Sequence, residues 1–461
     1  MATATRTGTS QTDGTPPISS TQEPQLPPGP KAPAFLQTLA WTLAPTWLMD
    51  RLAARIGEAF TLTFSPSGIR FVIVSSPEAV KTLFTAPPEV APSGAGNSPL
   101  APIMGPSSVL VLTGPEHMRQ RKLLLPPFHG ERMREYEDVI VAATQKDMAS
   151  WPRGRPMRLH ARTRAITLEV ILRAVFGVEA ERMAPLREAI GGLIKPMNIL
   201  AVLRIALSRP TLDRPSGAIG SALDHLDRLI YEEIALRRGQ ADLRERQDIL
   251  SLMMEARDED GREMTDSELR DELVTMLLAG HETTATAVAW AVERLMRHPD
   301  KLARLVEEID AGESDEYLSA VANETLRVRP VVPLVVRVLS EPFEVGGYLL
   351  PAGTRVAPSI YLVNRNPRVY ERPSAFLPER FLGETPETFS WIPFGGGIRR
   401  CIGASFAQLE MRLMLRTMLS ELEPHLPERG WRWRRGEPIR RRAITLVPVA
   451  GARVLWRPRG G

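Results

Sequence analysis

The chain has 461 residues, 43% hydrophobic and 24% charged, an ordinary composition for a folded globular protein with a large core. The formal net charge is only +4 and the pI about 9.4; with no recognisable nucleic-acid-binding module, nucleic acid is not expected as a partner. A single cysteine, Cys401, excludes an internal disulfide and any site built on two thiolates.

Residues 1–30 are rich in Thr, Ser, Gly, Pro and Gln and read as a disordered tail ending in the stiff Leu26-Pro27-Pro28-Gly29-Pro30. Length alone suggests more than one domain, but no second linker or repeat follows, so residues 31–461 read as one domain. Ala34–Met49 is too short for a membrane span, contains Gln37 and is interrupted by Pro45. With no signal-peptide pattern, a soluble cytoplasmic protein without a transmembrane anchor is expected, and weak surface docking of Ala34–Met49 is the alternative.

Phe60, Leu62 and Phe64 alternate as in a strand, Ser67-Gly68 makes a turn, and Phe71–Val74 continues the sheet. Ser76-Pro77-Glu78 opens a short helix, and residues 86–113 are loop-like. His117 and Arg121 sit at i and i+4, so one helix face offers two donors to anions. Most of residues 115–330 reads as helix. The longest starts at a capping box, Thr265 with Glu268, and stops at His298-Pro299, a span of roughly 50 Å at 1.5 Å per residue.

Within that helix lies Ala279-Gly280-His281-Glu282-Thr283-Thr284. A mid-helix glycine costs up to about 1 kcal/mol relative to alanine, so Gly280 invites a reason such as close approach of a ligand. Thr283 can bond a backbone carbonyl, and an acid beside an alcohol suits proton delivery. His281-Glu282 begins a zinc motif whose second histidine is missing, because position 285 is Ala. Glu324 and Arg327 lie one turn apart in a helix ended by Pro330. Asn323-Glu324-Thr325 is a formal glycosylation sequon. A strand-turn-strand pattern covers Phe343–Val356, and Phe376-Leu377-Pro378-Glu379-Arg380-Phe381 lies downstream. A final helix is predicted over Ile402–Leu422 and a hairpin over Ala443–Trp456. The arginine runs Arg432, Arg434, Arg435 and Arg440, Arg441, Arg442 read as solvated surface.

The strongest signal is Phe394-Gly395-Gly396-Gly397-Ile398-Arg399-Arg400-Cys401-Ile402-Gly403. Consecutive glycines allow positive φ and close approach to a flat ligand. Cys401 precedes a helix whose free amides favour a thiolate, Arg399 adds a nearby cation, and Gly403 removes a side chain on the ligand side. A thiolate so presented suits a haem iron.

Here the sequence resembles the cytochrome P-450 family, whose haem loop is Phe-x-x-Gly-x-Arg-x-Cys-x-Gly; Phe394, Gly397, Arg399, Cys401 and Gly403 all match. The resemblance spans nearly all of residues 31–461 and implies a mainly α fold with small β-sheets, binding haem b. It makes Cys401 the metal ligand, with Phe394, Gly395 and Gly403 against the cofactor and His117, Arg121, Arg399 and Arg337 toward its propionates. Glu282 and Thr283 match the family's acid-alcohol pair, while Glu324, Arg327 and Arg380 match a buried structural network, which argues against glycosylation at Asn323. The resemblance points to a pocket lined by the loop around Pro99–Leu110, Met276, Ala279, Gly280, Thr283, Val332, Leu334, Val335, and Ile444-Thr445-Leu446. These residues are overwhelmingly apolar, so a lipophilic substrate is expected: a fatty acid, terpenoid, steroid or polyketide.

No flavin or iron-sulfur module is present, so electrons for O2 reduction are expected from a ferredoxin or flavodoxin with its NAD(P)H-dependent reductase. Arg119, Lys122 and Arg400 are candidates for the docking face. A peroxide-driven relative would lack the acid-alcohol pair. A non-enzymatic haem sensor or ligand carrier would give no product with any electron donor, and nothing in the sequence favours it.

Overall fold

The computed structural model describes residues 23–128, 130, 132–177, 183–194, 214–383, 386–427 and 436–459. Most of the predicted tail, residues 1–22, and Arg432, Arg434 and Arg435 lie outside them.

The alternating residues Phe60, Leu62 and Phe64 bury one face of β1 (Ala59–Phe64), which pairs antiparallel with β2 (Ile69–Val74) in the register Phe60↔Ile73. β7 (Arg355–Pro358) joins parallel to β2, and β4 (Arg337–Val338) closes the order β1-β2-β7-β4. Two helices, α1 (Ala34–Leu43) and α2 (Pro45–Ile56), pack on this sheet through Trp41, Leu48, Met49 and Leu52. The Pro-rich end of the tail is part of this unit. Gln25 N–H donates to the Leu349 carbonyl at 2.9 Å, and Thr61 donates to the Pro28 carbonyl through its N–H (3.0 Å) and to the Pro27 carbonyl through its hydroxyl (2.7 Å). Proline lacks a donor but keeps an acceptor, so this stretch is pinned to the edge of β1 and the folded chain begins before residue 31.

Ser76 caps α3 (Pro77–Thr85), accepting Ala79 N–H at 3.1 Å. The stretch read as loop contains short helical turns at Gly94–Asn97, Ser98–Leu100 and Ala101–Met104. The helical body includes α4 (Gly114–Leu124), α5 (Arg132–Met148), α6 (Leu159–Phe176), α7 (Gly217–Arg238), α8 (Asp266–Met296), α9 (Glu316–Val328) and α10 (Ala404–Glu421). The 31 residues of α8 span about 46 Å and start at the expected capping box. This helix is buried along most of its length against α6, α9 and α10. Thr163 and Thr167 of α6 donate their hydroxyls to the carbonyls of Ala285 (2.9 Å) and His281 (2.8 Å), fixing the two helices in register.

β5 (Phe343–Val345) and β6 (Tyr348–Leu350) form the expected hairpin, its turn made by Gly346 and Gly347 at φ 61° and 80°. The predicted hairpin over Ala443–Trp456 is not formed. Instead β9 (Ile439–Arg442) pairs with β10 (Thr445–Pro448) around Ala443-Ile444, and Gly451 then turns the chain away. β11 (Arg453–Pro458) joins a different sheet, between β3 (Pro156–Arg158) and β8 (Leu422–His425). The arginine-rich Ile439–Arg442 is a strand, and Arg441 lies over the Trp41 ring at 5.3 Å rather than in open solvent.

Candidate functional site

The cysteine loop is held by its own backbone. Gly395 N–H donates to the Ile392 carbonyl, Arg400 N–H to Gly397 and Cys401 N–H to Phe394, at 3.0, 3.1 and 2.9 Å. Gly395 and Gly397 take φ of 68° and 63°, in the region that favours glycine. Gly396 is extended, and its reason is steric: a Cβ there would lie 2.3 Å from the Phe84 ring of α3. Gly403 has an ordinary φ of −84°, and a Cβ on it would meet no protein atom within 4 Å, so neither backbone nor packing demands glycine there. Phe394 packs edge-on to Trp391 at 6.2 Å.

Cys401 is open to solvent on one side although protein crowds it on the others. Burial pushes its thiol up, while the Gly403 N–H, Arg121 and Arg400 pull it back. The cations acting on the sulfur are therefore Arg121 and Arg400 rather than the expected Arg399.

Arg399 belongs to a second group. His117 is buried, its Nδ1 has no hydrogen-bond partner, and its pKa is lowered to about 3 by burial and then by Arg399, Arg121 and Arg337. Four donors from three separate segments thus converge. Burial holds Arg337 and Arg399 at about 10, with mutual repulsion adding at Arg399, and it lowers Arg121 as well. Arg399 donates to the Val109 carbonyl at 2.7 Å and also to Leu112, Arg121 to the Arg400 carbonyl at 2.7 Å, and Arg337 to the Val336 carbonyl at 3.0 Å. Among the described residues none of the four is ion-paired with a carboxylate. A cluster of like charges without a counter-charge is costly, and a ligand with two carboxylates would neutralise it.

In α8 the positions Met276, Ala279, Gly280 and Thr283 follow the i, i+3, i+4, i+7 rule and form an accessible stripe on an otherwise buried helix. At Gly280 an added Cβ would press on Ile171 of α6 at 3.3 Å, which supplies a packing reason beside the expected ligand reason. The Thr283 hydroxyl donates to the Ala279 carbonyl at 2.8 Å, as the sequence suggested. Glu282 turns elsewhere. Its carboxylate meets Arg164 Nε at 2.6 Å, Arg442 Nη1 at 3.4 Å and His160 Nε2 at 3.7 Å. Burial raises the Glu282 pKa despite the two arginines, and it lowers His160 to about 3. The acid and alcohol are thus adjacent in sequence but directed at different partners.

Sequence reasoning missed three features. Glu410 of α10 is fully buried, and burial raises its pKa to about 8 against a downward pull from the Thr284 side chain. A lone acid among Phe406, Leu409, Met411 and Leu413 was the available signal. Arg164 and Arg442 come from α6 and β9, and no local pattern ties them to Glu282. Finally, the loop at 105–112 is fastened to α8 by consecutive acids. Asp271 accepts Ser107 N–H at 2.9 Å, Glu272 accepts Val109 N–H at 2.7 Å, and Ser108 and Thr275 share a hydroxyl contact at 2.7 Å.

The other expected pocket residues divide. Val332 and Val335 are half-buried beside Phe84, and Val335 lies 3.9 Å from where a Gly395 Cβ would be. Leu334 packs instead with the α1–α2 cluster, together with Val336. Thr445 is buried and donates to the Arg442 carbonyl at 2.8 Å, leaving Ile444 as the exposed residue of that turn. The scaffold trio forms as expected. Arg327 donates twice to Glu324, at 2.6 and 2.8 Å, and Arg380 Nε lies 3.5 Å away, with Glu324 and Arg327 wholly buried. His281 is buried with Nδ1 against the Leu277 carbonyl, and no group of three or more metal-binding side chains occurs among the described residues. Two of the three docking candidates are already neutralised: Arg119 bridges Asp258 and Glu268, each at 2.6 Å, and Lys122 pairs with Glu259. Arg400 is exposed.

Comparison with known proteins bears on the family and the fold. The family described as Cytochrome P450 matches residues 27–438. The putative cytochrome P450 135B1 of Mycobacterium tuberculosis is 40% identical over 445 residues, covering 95% of this chain and 92% of its own. The putative cytochrome P450 137 of the same species is 41% identical over 446 residues, covering 94% and 91%. Among solved structures, retinoic acid-bound cyanobacterial CYP120A1 (TM-score 0.79, 24% identity, 95% of this chain and 100% of that one) has the same fold. So does the heme domain of cytochrome P450DA (TM-score 0.81, 23% identity, 95% and 98%). With its mainly helical body, its glycine-framed cysteine and full-length relatives of this kind, the chain belongs to the bacterial-type cytochrome P450 haem-thiolate family and is an oxidoreductase.

Proposed function

We propose that this protein is a monooxygenase that inserts one oxygen atom from O2 into a lipophilic small molecule, with electrons from a separate ferredoxin or flavodoxin system. The observation that carries the reading is the meeting of an open cysteine on a glycine loop with three guanidiniums that have no carboxylate partner, Arg121, Arg337 and Arg399, beside the buried donor His117. That donor set fits haem b, whose two propionates would supply the missing negative charge, and the absence of a protein reason for glycine at 403 fits a flat ligand nearby. When bound, the haem supplies the iron at which O2 is reduced.

The chain's own residues then have distinct tasks. Cys401 would hold the haem iron through its sulfur, and the amide of Gly403 with Arg121 and Arg400 favours its thiolate. Phe394 and Gly395 would lie against the cofactor beside Cys401. Thr283 holds its proton at the accessible stripe of α8, where Met276, Ala279 and Gly280 offer an apolar wall. Glu282 is the proton donor behind it, and it must swing from Arg164 and Arg442 to reach Thr283. Val332 and Val335 add half-buried apolar side chains near the cysteine loop, and an apolar lining of this kind favours a fatty acid, terpenoid, steroid or polyketide as substrate. Residues 31–461, with the pinned Pro-rich stretch, act as one haem domain.

The test is a visible-absorption titration of the purified ferric protein with fatty acids and, separately, with cyclic terpenoids or steroids. A saturating shift of the Soret band toward its high-spin position with one class is expected. Purified protein without haem would overturn the proposal.

A further inference from the structure

The first helix is built inside out. In α1 the polar side chains face the protein: Gln37 Oε1 accepts Thr63 N–H at 2.9 Å, and Thr38 Oγ1 accepts Ser65 N–H at 2.9 Å while donating to the Ala34 carbonyl. Gln37 also donates to the Ala32 carbonyl at 2.8 Å. β1 is an edge strand, and these bonds satisfy amides on its free side. Together with buried Trp41 they fix the rotation of the helix.

The consequence is an outward apolar face. Phe35, Leu36, Leu39 and Leu43 are 58%, 43%, 51% and 68% exposed, and Trp47 at the start of α2 is 55% exposed. Four large apolar side chains at i, i+1, i+4 and i+8 form a continuous stripe, and such stripes mark interaction surfaces. Residues 1–22 are poorly suited to cover it, since Met1 and Ile18 are their only large apolar side chains.

Charge around the stripe selects the occupant. Lys31, Arg51 and Arg55 are exposed at its two ends, and Arg51 lies over the Trp47 ring at 5.5 Å. The one acid between residues 31 and 57, Asp50, accepts the Tyr361 hydroxyl at 2.9 Å. Apolar side chains flanked by cations, with an aromatic at the boundary, have the composition of a helix lying in the headgroup plane of an anionic bilayer. No helix among the described residues is long and apolar enough to cross a membrane, so the attachment is peripheral. We propose that α1 and the start of α2 are a docking surface for an anionic lipid membrane.

Flotation of the full-length holoprotein with vesicles tests this, using phosphatidylcholine alone and phosphatidylcholine mixed with phosphatidylglycerol. The protein should float with the mixed vesicles, less so at high salt and least with phosphatidylcholine alone. The double variant Leu39→Ser, Leu43→Ser should lose about tenfold or more of its binding at an unchanged thermal midpoint, because both positions are already exposed. Arg51→Glu should weaken binding to the anionic vesicles specifically. Failure of the unaltered protein to float would overturn the proposal, as would equal binding by the serine variant. Sedimentation showing a dimer that the serine variant abolishes, without vesicle binding, would assign the face to a second copy and also overturn it.

Discussion

Glu282 and Thr283 occupy consecutive positions, yet the structure gives the hydroxyl to the accessible stripe of α8 and the carboxylate to Arg164 and Arg442. If Thr283 holds the proton nearest the reacting atoms, Thr283→Ala leaves cofactor consumption running while product per NAD(P)H falls; full coupling, measured as product formed per equivalent oxidised, argues against the role. Glu410 makes a separate prediction. Its folded pKa of about 8 lies above its ordinary value of 4.5, so the fold binds a proton that the unfolded chain gives up. The stability this confers is complete below pH about 4.5 and is lost as pH rises through 8, a contribution on the order of 5 kcal/mol. Glu410→Gln should flatten that loss. Urea midpoints at pH 6 and pH 9 check it, and the two proteins falling in parallel would count against it.

At the scale of elements, the Glu324–Arg327 pair with Arg380 links α9 to the segment at 371–382 without touching the accessible stripe. Arg327 also donates to the carbonyls of Asn364, Pro373 and Ala375. Glu324→Ala would leave that guanidinium buried without its carboxylate, a loss of about 3–5 kcal/mol, readable as a lowered denaturant midpoint. Elements with strong local patterns were legible in the sequence: the alternation of β1, the capping box of α8, the glycine turn of β5–β6 and the cysteine loop. Ile439–Arg442 was not, because four residues with three arginines look like solvated charge until Trp41 is placed beneath Arg441. The partners of Glu282 were illegible for a related reason: they come from α6 and β9, and their approach is a product of packing rather than of spacing. Leu334 shows the limit within a single motif, since this irregular segment sends it to the α1–α2 cluster and its neighbour Val335 to the side of Phe84.

Across the whole molecule, the overall charge of +4 says little about where a partner binds, because many arginines are spent internally. With Arg119 and Lys122 held by Asp258, Glu268 and Glu259, the docking proposal rests on Arg400 beside the cysteine loop. Arg400→Glu should slow reduction by an acidic partner at low salt, by about tenfold or less, and an unchanged rate would remove this residue from the interface. The fastening of residues 107–109 has a consequence of another kind. The amides of Ser107 and Val109 point into Asp271 and Glu272, carboxylates on the longest of the described helices, which is buried along most of its length. Hydrogen exchange at Ser107 and Val109 should then keep the slow timetable of α8 rather than the fast one of an irregular segment. This irregular segment would behave as an extension of the core, leaving fast local opening to other parts of the chain.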